Sequence, residues 1–174
     1  MSTNTAQHLR QTTGIAPATD MTVVRLLFEE YAQGLGVDLC FQNFKQELAE
    51  LPGCYSAPAG GLWLAWRDGM PAGCVAIRPL TPDVCEMKRL YVRPAYAGQG
   101  LGRALVEAAV AGARERGFRL LRLDTLESMT AANALYKKLG FYPIAPYHDT
   151  ALPGTLYYEL TLTSDGKSSD ATAR

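Results

Sequence analysis

The segment Gly98-Gln99-Gly100-Leu101-Gly102-Arg103 constrains this chain more than any other. It joins a stretch of strand character, CEMKRLYV, to a stretch of helix character running from Gly102 to Arg116. A glycine-rich loop at such a junction aims several backbone N–H groups at one point, and the dipole of the following helix draws negative charge to it. Glycine suits the task because a Cβ obstructs the approach of a phosphate or forbids the backbone angles required. Two known phosphate loops are excluded. Read as G-x-G-x-x-G from Gly98, the third glycine position holds Arg103, and read from Gly100 it holds Leu105. No Gly-Lys-Ser or Gly-Lys-Thr follows, so it is not a Walker loop. Taken alone, the loop fits both an anion site and a turn without a ligand.

The flanking sequence supplies a sheet and helices. Thr19 and Asp20 are helix N-cap types. They precede VVRLLFEEYAQGL, where Val24, Leu27, Phe28, Tyr31 and Leu35 recur at helical spacing. FQNFKQELAEL reads as a second helix that Pro52 ends. GLWLAW and AGCVAIRPL read as strands joined by an Asp68-Gly69 hairpin turn. CEMKRLYV is a third strand, closed by Pro94. In the next helix Leu101, Leu105, Ala108, Ala109 and Gly112 share a face, and Gly117 stops it. LLRLDT is a strand, and TAANALYKKLG is a helix with Gly140 at its C-terminal cap. TLYYELTL is a last strand with Leu156, Tyr158, Leu160 and Leu162 on one face. This order predicts one mixed α/β sheet with helices packed on it. A chain of 174 residues suggests one domain, expected over 14–163, with flexible polar tails at 1–13 and 164–174.

Formal net charge is zero, so nothing in bulk electrostatics favours nucleic acid or a membrane. No apolar run approaches the roughly 20 residues a bilayer requires. The N-terminus, MSTNTAQHLRQTTG, has no apolar core of signal-peptide length, and a cytoplasmic protein is expected. Cys40, Cys54, Cys74 and Cys85 form no C-x-x-C, and the only histidines are His8 and His148, so free thiols and no metal are expected. Charge is nonetheless uneven: residues 86–140 hold ten Lys and Arg against five Asp and Glu. That excess suits a polyanionic ligand or a set of hydrated helix faces.

The cassette CEMKRLYVRPAYAGQGLGRALVEAAV, followed by LRLDT and ALYKKLGF, closely resembles the GNAT acetyltransferase superfamily. The resemblance spans about residues 14–162 and is specific over 86–141. It implies a twisted mixed sheet with helices on both faces and acetyl-coenzyme A wedged where two central strands part. It also implies direct acetyl transfer to an amine, without a covalent acetyl-enzyme. In that family the strand before the loop carries the pantetheine, here Leu90, Tyr91 and Val92. The loop carries the pyrophosphate, here Gly98, Gln99, Gly100, Leu101, Gly102 and Arg103. A helix ending in L-Y-x-x-x-G-F flanks the thioester, here Leu135, Tyr136, Gly140 and Phe141. Two positions depart from the pattern. The Gln or Arg that opens the family's Q/R-x-x-G-x-G/A loop is Ala97, and the Asn seven residues before the tyrosine is Met129, with Asn133 one turn away.

The resemblance also implies roles. Tyr136 stands where the family has its general acid, and a phenol pKa of ~10 keeps its proton at neutral pH. Asp124 and Glu86 are candidate bases, each with an ordinary reading as a strand carboxylate beside a basic neighbour, Arg122 or Lys88. His148 is a third candidate for its near-neutral pKa. Cys85 reads as a small core residue. Lys137 and Lys138 reach a ribose phosphate or face water. Glu29, Glu30, Asp38, Glu47 and Glu50 make the first two helices acidic, which favours a cationic amine or only hydrates the helices. The acceptor, small molecule or protein, stays open, as does the choice between monomer and homodimer. A non-catalytic acyl-coenzyme A sensor and an interaction module are the rival readings.

Overall fold

The structure is a computed structural model that describes residues 13–36, 39, 43–149 and 152–162. The expected tails, apart from Thr13, lie outside the described residues, as do His8, Asp38 and Cys40. One seven-stranded sheet has the order β1–β2–β3–β4–β5–β7–β6. Its strands are β1 (Gly14–Pro17), β2 (Gly61–Arg67), β3 (Met70–Pro79), β4 (Val84–Val92), β5 (Leu120–Leu126), β6 (Tyr142–Pro143) and β7 (Thr155–Thr161). The helices are α1 (Met21–Leu35), α2 (Phe44–Glu50), α3 (Leu101–Glu115) and α4 (Thr130–Lys138). Neighbouring strands are antiparallel except β4 and β5, which run parallel. Among the described residues no helix is long and apolar enough to cross a membrane.

Local chemistry explains most boundaries. Asp20 caps α1 by accepting from the Thr22 and Val23 amides at 2.9 and 3.4 Å, and Gly36 ends it with φ 64°. Asp68 and Gly69 both have positive φ, 51° and 75°, as a tight primed hairpin turn requires. Two strands were not expected: β1 has four residues and β6 has two, too few to show alternation. α2 begins at Phe44, and its expected start at Phe41 lies outside the described residues. In α3 the buried stripe adds Val106 and Ala113, while Ala108 is only half-buried.

The sheet separates two cores. On one face Val24, Leu27 and Phe28 of α1 meet Tyr55, Leu64 and Ala76. On the other, Leu105, Val106 and Ala109 of α3 and Tyr136 of α4 meet Val75 and Leu123. β4 crosses this division with a change of parity. Cys85 and Met87 belong to the α3 core, but so do Leu90 and Val92. The pairing with β3 steps from Ala76↔Lys88 to Cys74↔Tyr91, so Arg89 and Leu90 together oppose Val75. This is a β-bulge, and Arg89 sits in it with φ 59°. A side chain in that region costs about 1–2 kcal/mol.

The buried Arg89 is held there by α2. Its Nη2 lies 2.6 Å from Glu47 Oε2 and its Nε 3.0 Å from Glu47 Oε1. The Tyr31 and Phe44 rings lie over its guanidinium, and the Tyr55 hydroxyl donates to Glu47 Oε1 at 2.6 Å. The parallel pair ends before the bulge is reached. β4 and β5 are matched only at Val84↔Leu120, Cys85↔Leu121 and Glu86↔Arg122, and then part.

Burial pushes the Glu47 carboxyl up, but Arg89, Tyr55 and Lys88 outweigh it and hold it below the usual carboxylate range. Its stabilisation is therefore complete above the unfolded value of about 4.3 and is lost as pH falls through the lower folded value. Glu47→Ala leaves Arg89 charged, buried and unpaired, and should cost about 3–5 kcal/mol in denaturant unfolding. The variant should also lose stability less steeply than the parent as pH falls below ~4. A loss under about 1 kcal/mol, the scale of an exposed pair, would show that Glu47 does not hold the bulge.

Candidate active site

Three cavities that share lining residues lie along β4 and β5, two at the gap between the strands and one where they are still paired. The first is a groove of about 700 Å³. Leu90, Tyr91 and Val92 form one wall, Gly98, Gly100, Leu101 and Gly102 its end, and α4 the other wall, with Thr130 and Leu135. Gly98 and Gly100 take φ 73° and 79°. A Cβ at either would meet no atom within 4 Å, so backbone conformation rather than space calls for glycine there. Gly100 is the N-cap of α3 with no side-chain cap, and the first helical hydrogen bond runs from Ala104 to the Gly100 carbonyl at 3.1 Å. The amides of Leu101, Gly102 and Arg103 therefore lack helical acceptors. Gly102 is ordinary helix, and its Cβ would sit 3.8 Å from Leu135.

Other residues expected at the cofactor are engaged elsewhere. Gln99 accepts from Arg67 at 2.9 Å, and Arg103 pairs with Glu107 at 2.8 Å on the exposed face of α3. Neither lines the groove, and nor do the exposed Lys137 and Lys138. Asn133 is buried and donates to the Leu126 carbonyl at 2.9 Å, while its Oδ1 has no partner. It braces the end of β5 rather than lining the groove.

The groove narrows into a passage of about 50 Å³, lined by Tyr31, Leu90, Asp124, Met129 and Tyr136. Tyr136 is 4% exposed, and its hydroxyl has no hydrogen-bond partner among the described residues. Burial first, then Tyr31 and Asp124, push its pKa above the ordinary phenol value, so it keeps its proton. Beyond the passage lies a cavity of about 330 Å³, and Lys88 and Arg89 line both spaces. β5 runs along all three. Arg122, Asp124 and Leu126 alternate onto one face and line the far cavity, the passage and the groove in turn.

The two candidate carboxylates differ. Glu86 is 0% exposed and both oxygens are occupied. Oε1 accepts from Arg78 Nε at 2.9 Å and lies 3.7 Å from Lys88 Nζ, and Oε2 accepts from the Tyr147 hydroxyl at 2.6 Å. Burial raises its pKa, but Lys88, Tyr147 and Arg78 outweigh burial and hold it below the usual range. A carboxylate so engaged is a poor proton acceptor, contrary to the expectation of a base. Asp124 is freer: its contact is His148 Nε2 at 3.4 Å from Oδ2, and His148 Nδ1 lies 3.1 Å from the Asp149 carbonyl. Oxygens or nitrogens of Glu86, Asp124 and His148 lie within 4.8 Å of one another, a metal-like grouping that sequence spacing did not reveal. Because the Glu86 oxygens are already engaged, the trio reads as a hydrogen-bonded wall.

The acidic acceptor wall does not form among the described residues. Glu30 pairs with Arg93 at 2.7 Å, Glu47 pairs with Arg89, Glu50 accepts from Gln46, and Glu29 is exposed outside the three cavities. Tyr147 escaped the sequence reading because it lies in an irregular stretch after β6, without periodicity.

Comparison with known proteins adds to this geometry. A family model described as Acetyltransferase (GNAT) family matches residues 24–141. An uncharacterised N-acetyltransferase of Schizosaccharomyces pombe is 40% identical over 147 residues, covering 83% of this chain and 90% of its own. A Staphylococcus aureus acetyltransferase of the GNAT family has a TM-score of 0.73 at 18% identity, over 86% of this chain and 99% of its own. A Salmonella typhimurium structure described as a putative acetyltransferase with its cofactor acetyl-CoA has a TM-score of 0.64 at 20% identity, over 93% and 100%.

The loop geometry separates its glycines. Gly100→Ala forces a Cβ into the left-handed region and should lower unfolding free energy by about 1–2 kcal/mol. Gly102→Ala sits in helix with room to spare and should gain up to about 1 kcal/mol. Equal effects in urea titrations would mean that the loop does not hold these angles.

Proposed function

Since the chain belongs to the GNAT acetyltransferase family and is an N-acetyltransferase, we propose that it draws acetyl groups from acetyl-coenzyme A in the groove and passes them directly to an amine entering from the far cavity. What carries this reading is the row of groove, passage and cavity, neighbours that share lining residues, with Tyr136 and Asp124 both lining the passage. The groove fits the donor. Its walls are largely apolar along Leu90–Val92, and its end offers uncapped amides and two left-handed glycines to a diphosphate. Bound there, acetyl-coenzyme A supplies a thioester carbonyl activated for attack.

The protein's own groups move the protons. Tyr136 Oη holds a proton at the passage and delivers it to the departing sulfur, a role worth about 10²–10⁴-fold. Asp124 Oδ2 takes the proton of the incoming amine, and His148 beside it links Asp124 to the open cavity. Glu86 acts on this scheme only through position, fixing Tyr147 and Arg78. Direct transfer is favoured over a covalent acetyl-enzyme because, among the described residues, the cysteines Cys54, Cys74 and Cys85 line neither groove nor passage. Burial also pushes the Cys85 thiol up to about 12. The unpaired state of these thiols suits a reducing cytoplasm.

A Tyr136 hydroxyl with no structural partner favours catalysis over an acyl-coenzyme A sensor or an interaction module. Tyr136→Phe keeps the ring contacts with Phe141 and Tyr158 and removes only the oxygen. Turnover in a thiol-release assay should fall by about 10²–10⁴-fold, with thermal stability and coenzyme A affinity little changed. Parent-rate turnover with chemistry rate-limiting would reduce Tyr136 to a packing residue.

Asp124→Asn should lower turnover by about 10²–10⁴-fold with coenzyme A affinity kept, whereas Glu86→Gln should lower it far less. The reverse pattern would exchange their roles.

A further inference from the structure

We infer that the acceptor amine carries a carboxylate, and that Arg78, Lys88 and Arg122 in the far cavity bind it. This rests on the reading that the amine enters from that side. The cavity is lined by Arg78, Lys88, Arg89, Arg122 and His148 against Glu47, Glu86 and Asp149. Two of the three acids are engaged. Glu47 is matched by Arg89, and Glu86 is a single negative charge between Arg78 and Lys88. Asp149 is exposed, and it is its carbonyl rather than its carboxylate that meets His148.

The cations keep unused donors. Arg78 gives Nε and Nη2 to Glu86, and Nη1 has no partner among the described residues. Arg122 gives Nε to Glu159, which lies outside the cavity lining, and its two terminal nitrogens have no partner among the described residues. The Arg122 guanidinium lies over the Tyr147 ring at 5.4 Å, which fixes its plane. Lys88 has a side chain only 10% exposed, and its single carboxylate contact is at 3.7 Å.

Half-buried cations without full partners are costly, and a carboxylate is the group whose geometry a guanidinium fork matches. A polyamine would instead meet like charge. The volume, about 330 Å³, is that of roughly ten waters, enough for a small amino acid and too little for a folded partner. Arg122 and Asp124 are two residues apart on one strand face, so their Cα atoms stand about 7 Å apart. A carboxylate on one and an amine proton passing to the other orient one small molecule along β5.

The experiment compares matched ligands on the full chain. The proteinogenic amino acids, and the ω-amino carboxylates of two to six carbons, are each set against the corresponding carboxamide. Affinity is read by calorimetry with coenzyme A present, and kcat/KM by thiol release. At least one carboxylate should exceed its carboxamide by about tenfold or more in affinity, since the amide leaves the cations unmatched. Arg122→Gln and Lys88→Met should each shrink that ratio severalfold without changing coenzyme A affinity. The result that overturns the inference is a parent enzyme with no carboxylate preference in the whole series, and the parent comparison stands even if a variant fails to fold. A chain that discriminates the carboxylate but binds no coenzyme A would keep this inference and remove the acetyl-transfer reading. A chain that binds coenzyme A and ignores the carboxylate would do the opposite.

Discussion

Arg89 occupies a backbone conformation that resists any side chain, and Glu47 is what keeps it there. The pair is almost wholly enclosed, with side-chain exposures of 3% and 14%. Such a pair contributes little net stability relative to apolar packing, because desolvation offsets attraction. Its value is positional. It ties α2, the Tyr31 ring of α1 and the turn at Tyr55 to one residue of β4, at the point where that strand reverses its facing. Without the extra residue, Leu90 and Val92 would turn away from the α3 core, and the groove wall would be lost.

From this follows a division of labour along β5. Alternation alone delivers Arg122, Asp124 and Leu126 to successive compartments, so one strand sets the polarity of the whole site. The end of the groove is made of backbone, in glycine angles and uncapped amides. The far cavity is made of side chains, knotted through one buried carboxylate, Glu86. These are different means to different ends. On the proposed reading this is apt, since a diphosphate looks the same on every donor molecule whereas acceptors vary.

The groove and its glycine loop are the legible part of the sequence. Glycines at Gly98, Gly100 and Gly102, the apolar stripe of α3 and the Asp68-Gly69 turn are local signals, and each sits where local chemistry predicts. What escaped is long-range. Glu86 looked available beside Lys88, but its partners Arg78 and Tyr147 come from β3 and from 61 residues further along. The acids of α1 and α2 suggest a wall, but Arg93 just after β4 and Arg89 in its bulge, both remote in sequence, pair with Glu30 and Glu47. The bulge left only a faint mark, a break in alternation within KRLYV, easily taken for an all-apolar strand end. Asn133 and Gln99 were expected at the cofactor by position in a motif, but their side chains found nearer partners.

The parting of β4 from β5 has a consequence for colloidal behaviour. Where the two strands separate, each presents unpaired backbone amides and carbonyls, which amounts to a sheet edge in the middle of a sheet. At the rim of a sheet such an edge recruits strands from other molecules and seeds aggregation. Here it opens onto a gap walled by α1, α4 and the glycine loop, a space that admits a slender chain but not a second sheet. The fold thus turns an unpaired edge toward a groove of its own rather than toward open solvent.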